Sequence, residues 1–436
     1  MKKQEPSEHP IEMKVSVPTS ENPERQRTAA LQDAPRISEP LEGALAFGVR
    51  QSSAAFSEPP PACQPPSEVS NLLTLAATDQ QRSSHMREEL VLEWLREEDP
   101  KRLEKLWHAA DEVRRAVVGD AVHLRGLIEI SSYCARQCAY CGLRADNRQL
   151  ERYRMTAEEI LNAAREAVVL GYGTVVLQAG EDYRLKTAWL TEVIRRIKTE
   201  TPLAVTLSLG ERPFSELAIW RAAGADRYLL RFETSNRSLF DAIHPGLDGK
   251  PCDRLAILRQ LKQLGYETGS GIMVGLPGQT YASIARDIML FRELDLDMIG
   301  IGPYIPHPAT PLARGETPIP PIHADQSPNS ELMVYKAVAL TRLICPQANI
   351  PSTTALATIN RVNGRELALQ RGANVVMPNL TPVSYRRSYE IYPAKACIDE
   401  TAQQCSGCLG SRITRIGRFV GRGPGGRNSQ RTYDSN

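Results

Sequence analysis

Cys134, Cys138 and Cys141 stand in Cys-x3-Cys-x2-Cys spacing, directly after a short apolar run at 126–130 that reads as a strand. Thiolates this close together on a loop can converge on one metal cluster. A cubane of four irons takes four ligands, so three cysteines leave one iron without a protein ligand and open to a molecule from outside. Two plainer readings compete. A disulfide knot cannot pair off three thiols, and nothing in the chain suggests an oxidising compartment. A structural zinc site wants a fourth Cys or His close by, and residues 143–153 offer none. A second trio, Cys397-x7-Cys405-x2-Cys408, again suggests iron and sulfur. Its plainer alternative is a zinc ion completed by water or an outside ligand.

The rest of the composition narrows the setting. Across 436 residues, 53 Lys plus Arg balance 51 Asp plus Glu for a formal charge of +2, which argues against a nucleic-acid or membrane-surface protein. Hydrophobic residues make up 42%, and no apolar run approaches the length of a membrane span. A soluble enzyme with one large core is expected. The other cysteines, Cys63, Cys252 and Cys345, are scattered. Grouped cysteines without a secretory signal read as reduced, metal-binding and cytoplasmic.

Residues 1–85 are rich in Pro, Ser, Glu and Gln and lack sustained periodicity, so a disordered tail is expected there. Glu5, Glu8, Glu12, Glu21, Glu24 and Asp33 count against a transit peptide, a class that avoids acidic residues. Over 86–121, Val91, Trp94, Leu95, Leu103, Leu106, Trp107, Val113 and Val117 recur at helical spacing around a break at Pro100, which suggests two helices.

From 122 to 385 short apolar strands alternate with amphipathic helices. The strand candidates are 126–132, 174–178, 204–209, 227–232, 268–274, 298–305, 350–355 and 375–378. Helical stretches between them include 156–170, 188–198, 254–264, 280–294 and 331–344, with Thr156 and Glu159 at capping-box spacing. This alternation implies parallel βαβ units. Periodicity alone does not separate a doubly wound sheet from a barrel, but about eight units over some 260 residues fit an α/β (β/α)8 TIM-type barrel. The active site of such a barrel lies in the loops after the strands, where the first cysteine trio falls. The segment 275–280 (GLPGQT) lacks the Lys of a phosphate loop and reads as a tight βα turn. Residues 386–436 form a C-terminal extension holding the second cysteine trio. Its end, 411–427, is basic and Gly-rich and is expected to be solvated.

The first trio, with the aromatic Tyr140 before its last cysteine, resembles the radical S-adenosylmethionine superfamily. Six further stretches narrow the resemblance: 147–155 (NRQLERYRM), 175–182 (VVLQAGED), 205–211 (VTLSLGE), 226–234 (DRYLLRFET), 273–280 (MVGLPGQT) and 299–308 (IGIGPYIPHP). Together they resemble the HydE family of FeFe-hydrogenase maturases, relatives of biotin synthase, over about 128–408. The resemblance implies a 4Fe-4S cluster on Cys134, Cys138 and Cys141. S-adenosyl-L-methionine would chelate its open iron, and a 5′-deoxyadenosyl radical would form inside the barrel.

Ala179, Gly180 and Glu181 would receive the methionine ammonium group, with Ala179 standing where a second glycine is often seen. Ser208 and Arg254 would hold the methionine carboxylate. Arg231 and Glu233 leave the fourth strand, and Glu233 would accept hydrogen bonds from the ribose hydroxyls. Gln178, Thr206, Thr353, Thr354, Met377, Tyr389 and Tyr392, with Asn379, would line the substrate cavity. Cys397, Cys405 and Cys408 resemble an auxiliary 2Fe-2S or 4Fe-4S site that only some members keep. The implied partners are a small organometallic substrate, an electron donor such as ferredoxin or flavodoxin, and other hydrogenase maturation proteins. Related synthases of the biotin, thiazole or pyrrolysine type, and a non-catalytic iron-sulfur scaffold, are the alternatives.

Overall fold

The structure, a computed structural model, describes residues 84–427 except 248, 250, 322 and 323, together with Leu72, Leu73 and Leu75. Most of the expected N-terminal tail therefore lies outside the described residues. Leu72 and Leu75 are helical and buried in the core.

Eight parallel strands form the centre: β1 (Ala121–Ser131), β2 (Thr174–Ala179), β3 (Ala204–Ser208), β4 (Arg227–Leu229), β5 (Glu267–Val274), β6 (Met298–Pro303), β7 (Pro351–Ser352) and β8 (Val375–Val376). They pair in the order β6-β5-β4-β3-β2-β1-β8-β7. The two ends of that order meet at the bridge Met298↔Asn349, where Ile299 N donates to Asn349 O at 2.9 Å. A doubly wound sheet would leave two free edges, whereas this one nearly closes into the expected (β/α)8 barrel. β1 is buried over nearly its whole length, as a strand covered on both faces requires.

The helices begin where their caps put them. Thr156 and Glu159 exchange both bonds of a capping box before Ala157–Val169. Asp99 caps Pro100–Val118, with the proline in the first turn where its missing N–H costs nothing. This helix and Ser84–Arg96 pack on Glu331–Ile344, and Lys336 Nζ donates to Leu95 O at 2.9 Å. Among the described residues no helix is long and apolar enough to cross a membrane.

Two strands end earlier than their apolar runs suggest. β4 stops at Leu229 because the chain turns into a left-handed residue at Glu233, φ 63°. β7 stops at Ser352 because Thr353 caps the helix Thr354–Ile359 through its hydroxyl. Thr353 and Thr354 thus lie on a helix N-terminus just beyond the strand.

The C-terminal end departs most from expectation. Residues 411–427 are not a solvated tail. Arg412 pairs with Glu366, and Arg418 is buried, pairing with Asp111. Strand β9 (Phe419–Val420) then joins β1, and the chain crosses the N-terminal mouth of the barrel. There Gly425 O accepts from Arg125 Nη2 at 3.0 Å and Asn349 Nδ2 at 3.2 Å, while Pro424 O accepts from Thr174 Oγ1 at 2.9 Å. Arg427 reaches Asp295 at 2.6 Å and Asp297 at 3.1 Å. Buried guanidiniums need acceptors and these aspartates need a cation, and the tail supplies both. Glycine is required at 425, because a Cβ there would stand 2.4 Å from the His123 ring.

Candidate active site

The C-terminal ends of the strands enclose a cavity of about 350 Å³. Cys134, Cys138 and Cys141 lie at one end of it, on the loop after β1. That loop is fixed from several sides. Ala135 N donates to Glu181 O at 3.0 Å, Ala139 N to Ile243 O at 2.8 Å and Gly142 N to Ile391 O at 3.0 Å. The Arg152 guanidinium bonds the carbonyl oxygens of Ser132, Leu143, Arg144 and Asn147, tying the loop's two ends together.

Burial raises all three thiol pKa values, that of Cys141 to about 12, so without a metal they stay protonated. Two sulfurs on one zinc ion lie at most about 4.6 Å apart, given a Zn–S bond of about 2.3 Å. Among the described residues, the one trio of Cys, His, Asp or Glu with all ligand atoms within 4.8 Å is Glu211, His244 and Cys252. The cysteine trio is spread more widely, and its odd, all-thiol donor set fits an iron-sulfur cubane better than a single ion.

Gln178, Ala179, Glu181, Ser208, Arg231, Glu233 and Arg254 line the cavity beside the trio. Gly180 lies behind the wall, packed on Tyr133 and Cys134. Glu181 is held by Arg136 Nε at 2.6 Å and Tyr183 OH at 2.7 Å. Arg254 donates to Glu211 Oε1 at 2.9 Å and to Arg231 O at 2.6 Å. Burial works against its charge, but Tyr140, Glu211 and Cys138 hold its pKa well above the ordinary arginine value. Burial likewise opposes ionisation of Glu211, yet bonds from His244 and Cys252 and the Arg254 charge keep its carboxyl well below the usual range.

Thr353, Thr354, Met377, Asn379, Tyr389 and Tyr392 line the far part of the cavity. Thr206 does not reach the lining. It lies on β3 two residues before Ser208, buried, with its hydroxyl lacking a hydrogen-bond partner among the described residues. The cavity-lining residues Arg231, Glu233, Tyr304, Arg365 and Arg125 each hold a buried polar atom without a hydrogen bond among the described residues, while Glu233 keeps an ion pair with Arg231 at 3.1 Å. Buried polar atoms without hydrogen bonds around one cavity are a costly arrangement unless a guest satisfies them.

Several wall residues escaped the sequence reading. Glu129 accepts from Lys395 Nζ at 2.6 Å and Asn379 Nδ2 at 3.1 Å, and Lys395 also donates to Tyr389 O at 3.2 Å. The signal for Glu129 and Arg125 was present, since both interrupt an apolar strand with a charge. Lys395 and Arg365 carry no such mark.

The second trio is not wholly beyond the barrel. Cys397, φ 61°, opens onto the cavity, while Cys405 and Cys408 lie one turn apart on the helix Ala402–Arg415, the first buried and the second exposed. The Cys405 thiol donates to Cys397, which together with the Arg365 guanidinium, Nη2 to Sγ 3.6 Å, holds the Cys397 pKa down against burial.

Residues 128–291 match the radical SAM superfamily. The chain is 48% identical to the [FeFe] hydrogenase maturase subunit HydE of Thermotoga maritima over 324 residues, covering 74% of this chain and 89% of that protein. It is 30% identical to 3-methylornithine synthase of Methanosarcina acetivorans over 281 residues, 64% of this chain and 75% of the relative. The crystal structure of methylornithine synthase (PylB) superposes with a TM-score of 0.65 at 23% identity, over 84% of this chain and 99% of that one.

Proposed function

The chain belongs to the HydE family of radical S-adenosylmethionine hydrogenase maturases, and on that premise we propose that its barrel transforms a small iron complex carrying cyanide, carbonyl and cysteine on the way to the FeFe-hydrogenase active-site cluster. Membership implies a four-iron cluster and S-adenosylmethionine, which together supply a 5′-deoxyadenosyl radical by reductive cleavage of the sulfonium.

The chain's own residues have three tasks. Cys134, Cys138 and Cys141 hold the cluster at the closed end of the cavity. Glu181, Ser208 and Arg254 take the charged ends of the methionine, and Glu233 takes the ribose. The far wall, with Thr353, Thr354, Met377, Tyr389 and Tyr392, and Gln178 nearer the trio, receives the substrate and keeps water from it.

The observation that carries this reading is the lining itself: Arg231, Glu233, Tyr304 and Arg365, each with a buried polar atom that no hydrogen bond satisfies, line one cavity with the three thiols. The guanidiniums of Arg231 and Arg365 suit a guest with anionic or acceptor ligands, such as cyanide and a carboxylate. An electron donor such as ferredoxin or flavodoxin and the other maturation proteins complete the proposed setting, and a second cluster on Cys397, Cys405 and Cys408 is proposed as an accessory.

The test is anaerobic. Reconstituted, reduced protein is given S-adenosylmethionine with the iron complex, or with free amino acids as candidates for a synthase of the methylornithine type, and the adenosyl products are identified by mass spectrometry. Turnover with the iron complex supports the proposal; turnover with an amino acid alone replaces it. Alanine at Cys134, Cys138 or Cys141 should abolish cleavage in either case.

A further inference from the structure

Behind Cys138, on the side away from the cavity, lies a histidine that none of the roles above uses. His244 follows the helix Arg237–Ile243, is fully buried, and tilts against the Phe240 ring at 5.1 Å between centroids. Its Nδ1 stands 3.0 Å from Cys138 Sγ. Its Nε2 stands 3.0 Å from Arg254 Nη2 and 3.1 Å from Glu211 Oε1. Glu211 has three further donors: Arg136 Nη2 at 2.8 Å, Arg254 Nε at 2.9 Å and Cys252 Sγ at 2.5 Å.

Glu211, His244 and Cys252 are close enough to suggest a metal site of their own. Two guanidiniums already sit on that carboxylate, and a cation entering the trio would meet both charges.

The groups around the ring set its direction. Arg254 Nη2 stands 3.0 Å from Nε2 and 3.5 Å from Nδ1, and a Glu211 carboxylate oxygen stands 3.1 Å from Nε2. A cluster-bound Cys138 sulfur is a thiolate, which only accepts, so the nitrogen facing it at 3.0 Å is the one that carries a proton.

We propose that His244 is a positioning residue for the cluster: its Nδ1–H donates to the sulfur of Cys138. The proposal rests on Cys138 being a cluster ligand. Hydrogen bonds to ligand sulfurs help set the reduction potential of iron-sulfur clusters. Donation to the thiolate withdraws electron density, so it favours the reduced state.

The test uses the loaded protein and paramagnetic resonance. In a redox titration His244→Leu should make reduction about tenfold less favourable, a shift of about 59 mV to more negative potential. His244→Gln, whose amide can still donate, should recover part of it. In wild type labelled with ¹⁵N-histidine, pulsed measurements on the reduced cluster should show a coupled nitrogen that His244→Gln removes and His307→Gln retains. Equal potentials in wild type and His244→Leu overturn the proposal. Should His244→Leu fail to hold a cluster, the labelled wild type decides, and no coupled nitrogen there overturns it. Wild type that holds no cluster at all overturns the assignment of Cys138, and this proposal with it.

Discussion

Gly180 lies directly against Cys134: a methyl group at residue 180 would stand 2.8 Å from the Cys134 Cβ and 2.3 Å from the Tyr133 carbonyl oxygen. The loops after β1 and β2 are locked together here, with Gly180 N donating to Ser131 O at 3.2 Å and Glu181 N to Cys134 Sγ at 3.4 Å. Backbone cannot yield as a flexible side chain does, so Gly180→Ala must push the cysteine loop out of place. The variant should fold yet hold less than half of the wild-type iron after reconstitution, by colorimetric iron assay. A full iron complement would mean that the two loops separate freely.

The role proposed for Glu233 is binding rather than electron transfer. Arg231 Nη2 is 3.1 Å from Glu233 Oε2 but lacks the alignment of a hydrogen bond, so that buried oxygen has an ion pair and no hydrogen bond. Backbone bonds hold the left-handed residue, Glu233 N to Gly271 O at 3.0 Å and Met273 N to Glu233 O at 3.2 Å. Glu233→Gln should weaken S-adenosylmethionine binding by roughly 1.5 to 3 kcal/mol, the worth of a charge-assisted hydrogen bond. The visible absorbance of the cluster should not change. Titration of the loaded variant reads both at once, and wild-type affinity would remove Glu233 from the binding set.

The barrel was legible because its signals are local. Apolar runs such as 174–178 and 298–305 alternate with capped helices, and a capping box at Thr156 needs only four residues of context. The cysteine loop was legible for the same reason. What local patterns do not carry is pairing across the ring. Glu129 and Lys395 are separated by 266 residues, and Lys395 in isolation looks like any surface lysine. The glycine-rich tail shows the opposite error. Its arginines suggest solvent, but the buried donors that meet its carbonyls, Arg125 and Thr174, come from β1 and β2, and the aspartates that meet Arg427 come from the segment before β6.

Asp287 supplies a pH dependence. It is fully buried on the helix Tyr281–Glu293, where Oδ1 accepts from Ser235 N at 2.6 Å and so anchors the turn after Glu233. Burial raises its pKa to about 7, against the hydrogen bonds from Ser235 and Thr234. A carboxyl whose folded pKa is raised contributes its full stability below the unfolded value near 4. That contribution is lost as pH rises through about 7, by up to roughly 4 kcal/mol. Thermal unfolding should therefore show falling stability from pH 5 to pH 8. Asp287→Asn keeps the acceptor for Ser235 without the charge and should flatten that slope by several degrees. An unchanged slope would place the titrating group elsewhere.

The second cysteine trio tests whether a metal site next to the cavity takes part in the reaction. Cys397 faces the cavity, which favours participation, but Cys405 and Cys408 lie on an outer helix and Cys408 is exposed to solvent. Such a site exchanges with bulk more easily than the trio of the β1 loop, none of whose cysteines is exposed. Of the cavity-lining residues with a polar atom lacking a hydrogen bond, Arg231, Glu233 and Tyr304 belong to the β4–β6 side of the barrel, Arg125 to β1 and Arg365 to a helix between β7 and β8. Replacing Cys397, Cys405 and Cys408 together with Ala should therefore remove roughly half of the bound iron or less, as expected for an accessory cluster no larger than the first. Cleavage of S-adenosylmethionine should survive, and so should assembly of active hydrogenase in a cell-free maturation mixture with this variant as its sole protein of the kind. Hydrogenase activity is the decisive reading: its complete loss, with the first cluster intact by paramagnetic resonance, would make the second site essential and the accessory reading wrong.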